Sequence, residues 1–209
     1  MLKRIQNRSS AVSLAIQNAL LAQNNNGALA EKPLAKEYNI KIANTLNEKE
    51  SVFRLAYQIY LEKGFIQENA QEWLIRNYDF NPSTVILIVE DQESNLVGSV
   101  TMVFDDFSTL PAEKIYFEEI KKLRTTSQKF VELSRLVINP DYRNSKEVLV
   151  LLFDYLAIYS YHVKNYRNLI VEVNPRHKNY YKSLLNFDEV GIEKLIRWCS
   201  DTFSRNNSS

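Results

Sequence analysis

Glycine is scarce in this 209-residue chain, with only Gly27, Gly64, Gly98 and Gly191, and no two of them lie close together. A P-loop or a dinucleotide-binding turn needs several glycines within a few residues, because only glycine lets the backbone approach phosphate oxygens so closely. Both motifs are excluded. The single cysteine, Cys199, cannot form an internal disulfide, and two histidines, His162 and His177, are too few for the usual zinc sites. No metal is expected. Charge of one sign is also lacking. Lys plus Arg is 26 against 25 for Asp plus Glu, a net charge of +1, which leaves no broad basic field for nucleic acid. No apolar run approaches the roughly 20 residues of a membrane span. These absences together suggest a cytoplasmic, metal-free protein with no nucleic-acid partner.

What is present is core-forming. Hydrophobic residues make up 45% of the chain and aromatic residues 11%, enough for one sizeable core. Lys3, Arg4 and Arg8 precede an Ala/Leu-rich stretch from Ala11 to Ala22. Ser13, Gln17 and Asn18 interrupt it, and Val12, Ala15, Ile16, Ala19 and Leu20 keep helical spacing. This favours an amphipathic arm over a signal peptide, an arm able to touch a membrane surface peripherally. Gln23 to Pro33, with three consecutive asparagines, reads as a linker. The expected organisation is an arm over 1–33 and one domain over 34–209.

From Tyr38 the patterning becomes regular. Tyr38–Ala43 alternates as a strand, and Asn47 with Glu50 resembles a capping pair for a helix carrying Val52, Leu55, Ala56 and Ile59 on one face. A short helix is expected over Gln67–Tyr78, ending before Pro82. The β-branched run Thr84–Val89 predicts a strand covered on both sides. The turn Asp91–Asn95 then leads into Leu96–Phe104 as its hairpin partner. Pro111 opens a helix with Tyr116, Ile120 and Leu123 inward. Phe130–Ile138 is a strand, Asn144 and Glu147 again resemble a cap pair, and Val148–Val163 is a helix apolar on most sides. Leu169–Asn174 is a strand, Pro175–Leu185 a short helix, and Asp188–Gly191 starts a last strand. A mixed α/β sheet with helices on both faces accounts for this order.

Charged residues inside apolar strands are the candidates for chemistry. By simple alternation, Glu132 and Ser134 share a face of Phe130–Ile138 with Phe130, Leu136 and Ile138, while Arg135 lies opposite with Val131, Leu133 and Val137. Glu172 and Asn174 share a face with Ile170. Desolvation would raise such carboxyls toward the range of a general base, although structural pairing would explain them equally. Tyr181 stands one helical turn from His177 and could protonate a leaving thiolate, or simply pack by its ring. His162 reads as a satisfied core residue, and Cys199 as inert.

The order from Tyr38 to Gly191 resembles that of the GNAT superfamily of N-acyltransferases. Two stretches are more specific. Val131-Glu132-Leu133-Ser134-Arg135-Leu136, followed by Pro140 and Arg143, resembles the E-x-S-R core shared by acyl-homoserine-lactone synthases and long-chain N-acyl amino acid synthases. Glu172-Val173-Asn174-Pro175-Arg176-His177, then Tyr180-Tyr181-Lys182 and Leu184-Leu185-Asn186-Phe187, resembles the N-acyl amino acid synthase pattern, with Asn186 where glycine is usual.

The resemblance implies a mostly antiparallel sheet in which Phe130–Ile138 and Leu169–Asn174 splay apart. It also implies transfer of a long-chain acyl group from an acyl carrier protein thioester to the α-amine of an amino acid, with N-acyltyrosine synthases the nearest type. No permanently bound cofactor is implied, the donor being the acyl-phosphopantetheine arm. Glu132, or else Glu172, would be the base and Tyr181 the acid. Ser134, Arg135, Leu136, Val137, Asn174 and His177 would line the acyl and substrate side. The loop Arg143-Asn144-Ser145-Lys146-Glu147 lacks the glycine of pyrophosphate-binding loops, which suits a carrier-protein phosphodiester. Arg143, Lys146, Arg176, Lys178 and Lys182 would form a basic rim for an acidic carrier, or would be ordinary solvated residues. The alternatives are an acyl-homoserine-lactone synthase using S-adenosylmethionine (Phe53, Arg54 and Trp73 faintly echo its aromatic motif), a non-catalytic acyl-binding or carrier-docking module, and a CoA-dependent acetyltransferase.

Overall fold

In the computed structural model, residues 2–6, 38–106, 109–125, 129–174 and 188–191 are described. The sheet grows from its most apolar strands. Val85–Glu90 (β3) is buried at every position, as a β-branched run covered on both faces must be. The Asp91 carboxylate accepts from the backbone N–H groups of Glu93 and Asn95 and folds the turn that returns the chain as Leu96–Phe104 (β4). Asn39–Ile42 (β2) pairs antiparallel outside β3, and Phe130–Ile138 (β5) pairs antiparallel with β4. Asn168–Glu172 (β6) then joins β5 in parallel. The described end of the N-terminal arm, Leu2–Gln6 (β1), is itself a strand. It pairs antiparallel with β6 and with Asp188–Glu189 (β7), giving the order β2-β3-β4-β5-β6-β1-β7. The amphipathic stretch 11–22 lies outside the described residues.

Helices cover both faces. Leu46–Glu62 (α1) buries Val52, Phe53, Leu55, Ala56 and Ile59 against β3 and β5, and Glu113–Arg124 (α2) packs Tyr116 and Ile120 against Val103, Phe130 and Ile170. On the opposite face Lys146–Ile158 (α3) buries Val148, Leu152, Phe153 and Leu156 against Val100, Met102, Leu133 and Val171. Gly98 sits where β4, β5 and α3 converge. A Cβ there would lie 2.7 Å from Ile138 Cδ1 and 3.1 Å from the Val137 carbonyl.

Several local expectations are corrected. The α1 cap is Thr45 with Glu48 rather than Asn47 with Glu50. Glu48 is held there because it also pairs with Lys41 of β2 at 3.0 Å, while Glu50 bonds Arg54. No cap pair forms from Asn144 and Glu147. Ser145 is the cap residue, and its hydroxyl accepts from Tyr38 instead of from its own helix. The helix expected over Gln67–Tyr78 is absent. Asn69 clasps the backbone of Trp73, Glu72 takes a φ of 56°, and Leu74 N donates to Phe53 O. These contacts leave only a 3-10 turn at Asn77–Phe80. The central helix ends at Ile158 and continues as a π turn over Tyr159–Val163, where His162 is exposed rather than in the core and packs edge-on with Tyr161. Pro175–Leu185 and Cys199 lie outside the described residues.

Candidate active site

The site begins with a bulge. Thr101 lies opposite Ser134, but two residues back along β4 Ser99 lies opposite Val137, so β5 carries one extra residue between them. Arg135 absorbs it with a φ of 46°, a left-handed conformation that costs a non-glycine residue about 1–3 kcal/mol. The extra residue resets the alternation. Ser134 and Arg135 both face the α1/α2 side, where Glu132 also lies. Val137 joins the α1-side core, while Leu136 and Ile138 pack with Val131 and Leu133 beneath α3. Alternation had set Arg135 opposite Glu132 and put Leu136 and Ile138 beside it. The bulge reverses each of these assignments.

Arg135 is buried, and both of its Nη atoms are engaged while its Nε has no hydrogen-bond partner among the described residues. Its Nη1 donates to Asp79 Oδ2 at 2.8 Å and to Leu74 O at 2.9 Å, and its Nη2 donates to Asp79 Oδ1 at 2.5 Å and to Thr101 Oγ1 at 3.0 Å. The guanidinium lies over the rings of Phe53 and Tyr78, 4.8 and 5.5 Å from their centroids. This grip fixes the loop before β3. It also holds Tyr78, whose phenol oxygen accepts from Ser134 Oγ at 3.0 Å. Burial raises the Tyr78 pKa, so its phenol remains a proton carrier at neutral pH.

Glu132 is 2% exposed and stands beside the start of α2. Its Oε2 accepts from the Ala112 backbone N–H at 2.9 Å. That loop is pinned by Glu113, whose carboxylate accepts from Leu110 N and from Arg124. Burial pushes the Glu132 carboxyl up to about 8, the Ala112 hydrogen bond opposes the rise, and the charges of Glu172 and Glu113 add to it. Glu172, half-buried on the same face of β6, is raised by burial as well. Two carboxyls therefore share one face of adjacent strands, both raised by burial.

The pairing of the two strands ends at this point, one residue before β6 itself ends at Glu172. β5 and β6 pair from Phe130↔Asn168 only as far as Leu133↔Val171, although β5 runs on to Ile138. From Ser134 to Ile138 the β6-facing edge of β5 has no strand partner among the described residues. Glu132 pairs with Ile170 one step before the paired segment ends, and Ser134 and Glu172 are the next residues on the two strands.

Other expected residues are scattered. Asn174 is exposed just past β6, and Lys146 is exposed at the first position of α3. Arg143 is paired with Glu62 at 3.1 Å. Arg176, His177, Lys178, Tyr181 and Lys182 lie outside the described residues. Sequence reasoning passed over Tyr60, Tyr78, Asp79 and Thr101. Tyr78 and Asp79 looked like the end of a helix, and no local signal marks them as partners of Arg135. No cluster of three metal-ligating side chains forms among the described residues, and none of their helices is long and apolar enough to cross a membrane.

An open mixed sheet with helices on both faces, in which the parallel pairing of β5 and β6 ends beside a buried carboxyl, is the architecture of a GNAT-type fold. The solved structure of FeeM, an N-acyl amino acid synthase from uncultured soil microbes, is similar with a TM-score of 0.65 and 22% identity, over 77% of this chain and 83% of that one. A ribosomal-protein-alanine N-acetyltransferase from Brucella melitensis biovar Abortus 2308 is similar at a TM-score of 0.54 and 13% identity, over 77% and 99% of the two chains. An acetyltransferase from Trypanosoma brucei follows at 0.51 and 14%, over 77% and 98%. No curated protein sequence matches significantly. The family model described as N-acyl amino acid synthase FeeM matches residues 51–197. The chain belongs to that family, and it is an N-acyltransferase enzyme.

Proposed function

We propose that the protein transfers a long-chain fatty acyl group from the phosphopantetheine thioester of an acyl carrier protein to the α-amine of an amino acid, with tyrosine the best candidate acceptor. The observation that carries this reading is the end of the β5–β6 pairing after Leu133↔Val171, which leaves the rest of the β5 edge without a strand partner among the described residues beside the buried, high-pKa carboxyl of Glu132. A pantetheine arm entering the gap brings its thioester to the unpartnered edge of β5, whose backbone N–H groups then hold the carbonyl oxygen as negative charge develops on it. Glu132, ionised, takes a proton from the acceptor ammonium. The freed amine attacks the thioester carbon, the C–S bond breaks, and the thiolate leaves with a proton from Tyr181. Glu172 is the reserve base and keeps the pKa of Glu132 high. Ser134 lines the opening on one side and Leu136 and Val137 continue its wall, with Asn174 and His177 beyond β6.

The missing glycine in the Arg143–Glu147 loop supports a carrier protein over CoA as donor, because a single phosphodiester needs less backbone cradle than a pyrophosphate. Arg143 and Lys146 at the start of α3, with Arg176, Lys178 and Lys182, form the docking rim, and Arg143 exchanges its surface pair with Glu62 for the carrier's acidic groups.

The test is incubation with a long-chain acyl carrier protein, or the corresponding acyl-CoA, and a mixture of amino acids. Mass spectrometry is expected to show an N-acyl amino acid, formed faster from the carrier protein. A protein that consumes neither donor contradicts the reading.

A further inference from the structure

A chain of contacts leaves β5 beside Glu132 and returns to it. It starts at Phe130, whose carbonyl accepts from the Asp105 backbone N–H at 3.0 Å. The Asp105 carboxylate accepts from Nε and Nη2 of Arg124, at 3.0 and 2.6 Å. The same guanidinium donates from Nη1 and Nη2 to Glu113, at 2.8 and 2.6 Å. Glu113 Oε1 also accepts from Leu110 N at 2.7 Å, and two residues on the Ala112 N–H donates to Glu132 Oε2 at 2.9 Å. Both carboxylates are largely buried, which sets these pairs apart from ordinary surface bridges.

The clasp has a geometric requirement. Glu113 and Arg124 are the two ends of α2, which a straight helix would hold roughly 16 Å apart. The backbone breaks at Tyr116 (φ −116°, ψ 37°), and the two ends meet. Ala112, at the start of α2, brings no side-chain cap, so its N–H is satisfied by the Glu132 carboxyl instead. The donor that reaches Glu132 is thus placed by the 110–113 turn, and that turn is tied down by Arg124.

Resting on the transferase reading above, we infer that Arg124 is a positioning residue for the reaction. By bridging Asp105 and Glu113 it holds the Ala112 N–H on Glu132 and neutralises the carboxylate next to that donor.

The charges around Glu132 give the direction of the effect. Glu172 of β6 and Glu113 of α2 raise its pKa, and the Ala112 hydrogen bond lowers it. Arg135 of β5 is neutralised by Asp79, and Asp105, just past β4, by Arg124. The α1 side brings the phenols of Tyr60 and Tyr78, which burial keeps protonated at neutral pH. Arg124 holds Glu113 below the usual carboxylate value, so Glu113 stays charged while Glu132 titrates. Loss of Arg124 removes the countercharge of Glu113 and loosens the Ala112 hydrogen bond. Both changes favour the protonated form of Glu132. Loss of the Glu113 charge acts in the opposite direction.

The experiment records kcat/KM for acyl transfer from a long-chain acyl carrier protein to tyrosine across the pH range, with a urea unfolding curve for each protein. The proteins are wild type, Arg124→Gln, Arg124→Lys, Glu113→Gln and Glu132→Gln. Arg124→Gln is expected to move the rising limb to higher pH by roughly one unit, as for a lost countercharge and hydrogen bond. Its plateau kcat should fall roughly tenfold with the donor KM little changed, because a misplaced base slows the chemical step. Arg124→Lys, whose ammonium cannot serve both carboxylates as a fork does, should shift the limb less. Glu113→Gln, whose amide carbonyl can still accept from Leu110 N, should move it to lower pH. A clasp with a structural role alone would lower the unfolding midpoints and leave the limb where wild type has it. That result, or a limb that moves the same way in Arg124→Gln and Glu113→Gln, overturns the assignment and leaves the transferase reading intact. A wild type with no such limb, or a limb that Glu132→Gln leaves in place, overturns the reading of Glu132 as base and this inference with it. Should Arg124→Gln not fold, the direction of the Arg124→Lys shift decides.

Discussion

Arg135 and Asp79 form a two-pronged ion pair, 2.5 and 2.8 Å across its two contacts, with side chains 1% and 3% exposed. The pair joins the bulge in β5 to the loop before β3. The same contacts that hold the strained Arg135 backbone therefore hold Tyr78 beside Ser134. Removing one charge strands the other inside the protein, which generally costs about 3–5 kcal/mol. Asp79→Ala is expected to lower stability by about that amount, measured by urea unfolding. Arg135→Lys should fail to compensate, because an ammonium cannot serve Asp79, Leu74 and Thr101 through one planar fork.

Gly98→Ala tests the convergence of β4, β5 and α3. The added methyl would meet a backbone carbonyl as well as Ile138 and Val148, so it cannot be relieved by a side-chain rotation alone. A loss of about 1–3 kcal/mol is expected, the usual result of overpacking a filled core. A thermal melt of the variant measures it.

The pH dependence of the reaction follows from the site. With the Glu132 carboxyl at about 8, kcat/KM should rise with pH and level off above that value as the base ionises. The charge of Glu172 contributes to the upward shift. Glu172→Gln should therefore move this limb to lower pH, read from initial rates across pH 5–10.

Stability has its own signature. The folded Glu132 carboxyl lies above its ordinary value of 4.5. Between about 4.5 and 8 the unfolded chain has already released a proton that the folded protein retains. The contribution of this group is complete below the unfolded value and is lost as pH rises toward the folded one. Glu132→Gln removes that dependence. Its denaturation midpoint should fall less than that of wild type between pH 5 and 8.

The sheet was legible where local chemistry and burial agree. The run at Val85–Val89, the Asp91–Asn95 turn and the largely apolar strand at Phe130–Ile138 each carry their own signal, and Pro111 marks the approach to α2. Glu132 and Glu172 were conspicuous because carboxylates inside such strands demand a reason. The bulge was not legible. Arg135 is neither glycine nor asparagine, so nothing in its identity announces a positive φ, and strand parity sets it opposite Glu132 unless a bulge intervenes, as one does. The loop from Asn69 to Phe80 was misread because its propensities suit a helix. Its structure is set instead by Phe53, Arg135 and Ser134, which lie far away in sequence. Arg54, read as part of an aromatic motif, pairs with Glu50 and lies over Trp73 on the outside of α1.

The central claim is that Glu132, beside the point where the β5–β6 pairing ends, accepts the proton of the attacking amine. The most direct measurement is single-turnover acyl transfer from a long-chain acyl carrier protein to tyrosine by wild type and by Glu132→Gln. The glutamine carbonyl can still accept from Ala112 N–H, so the variant should fold. Its rate is expected to drop by about 10²–10⁴, as for loss of a general base. A folded Glu132→Gln enzyme that transfers the acyl group at the wild-type rate would contradict the account.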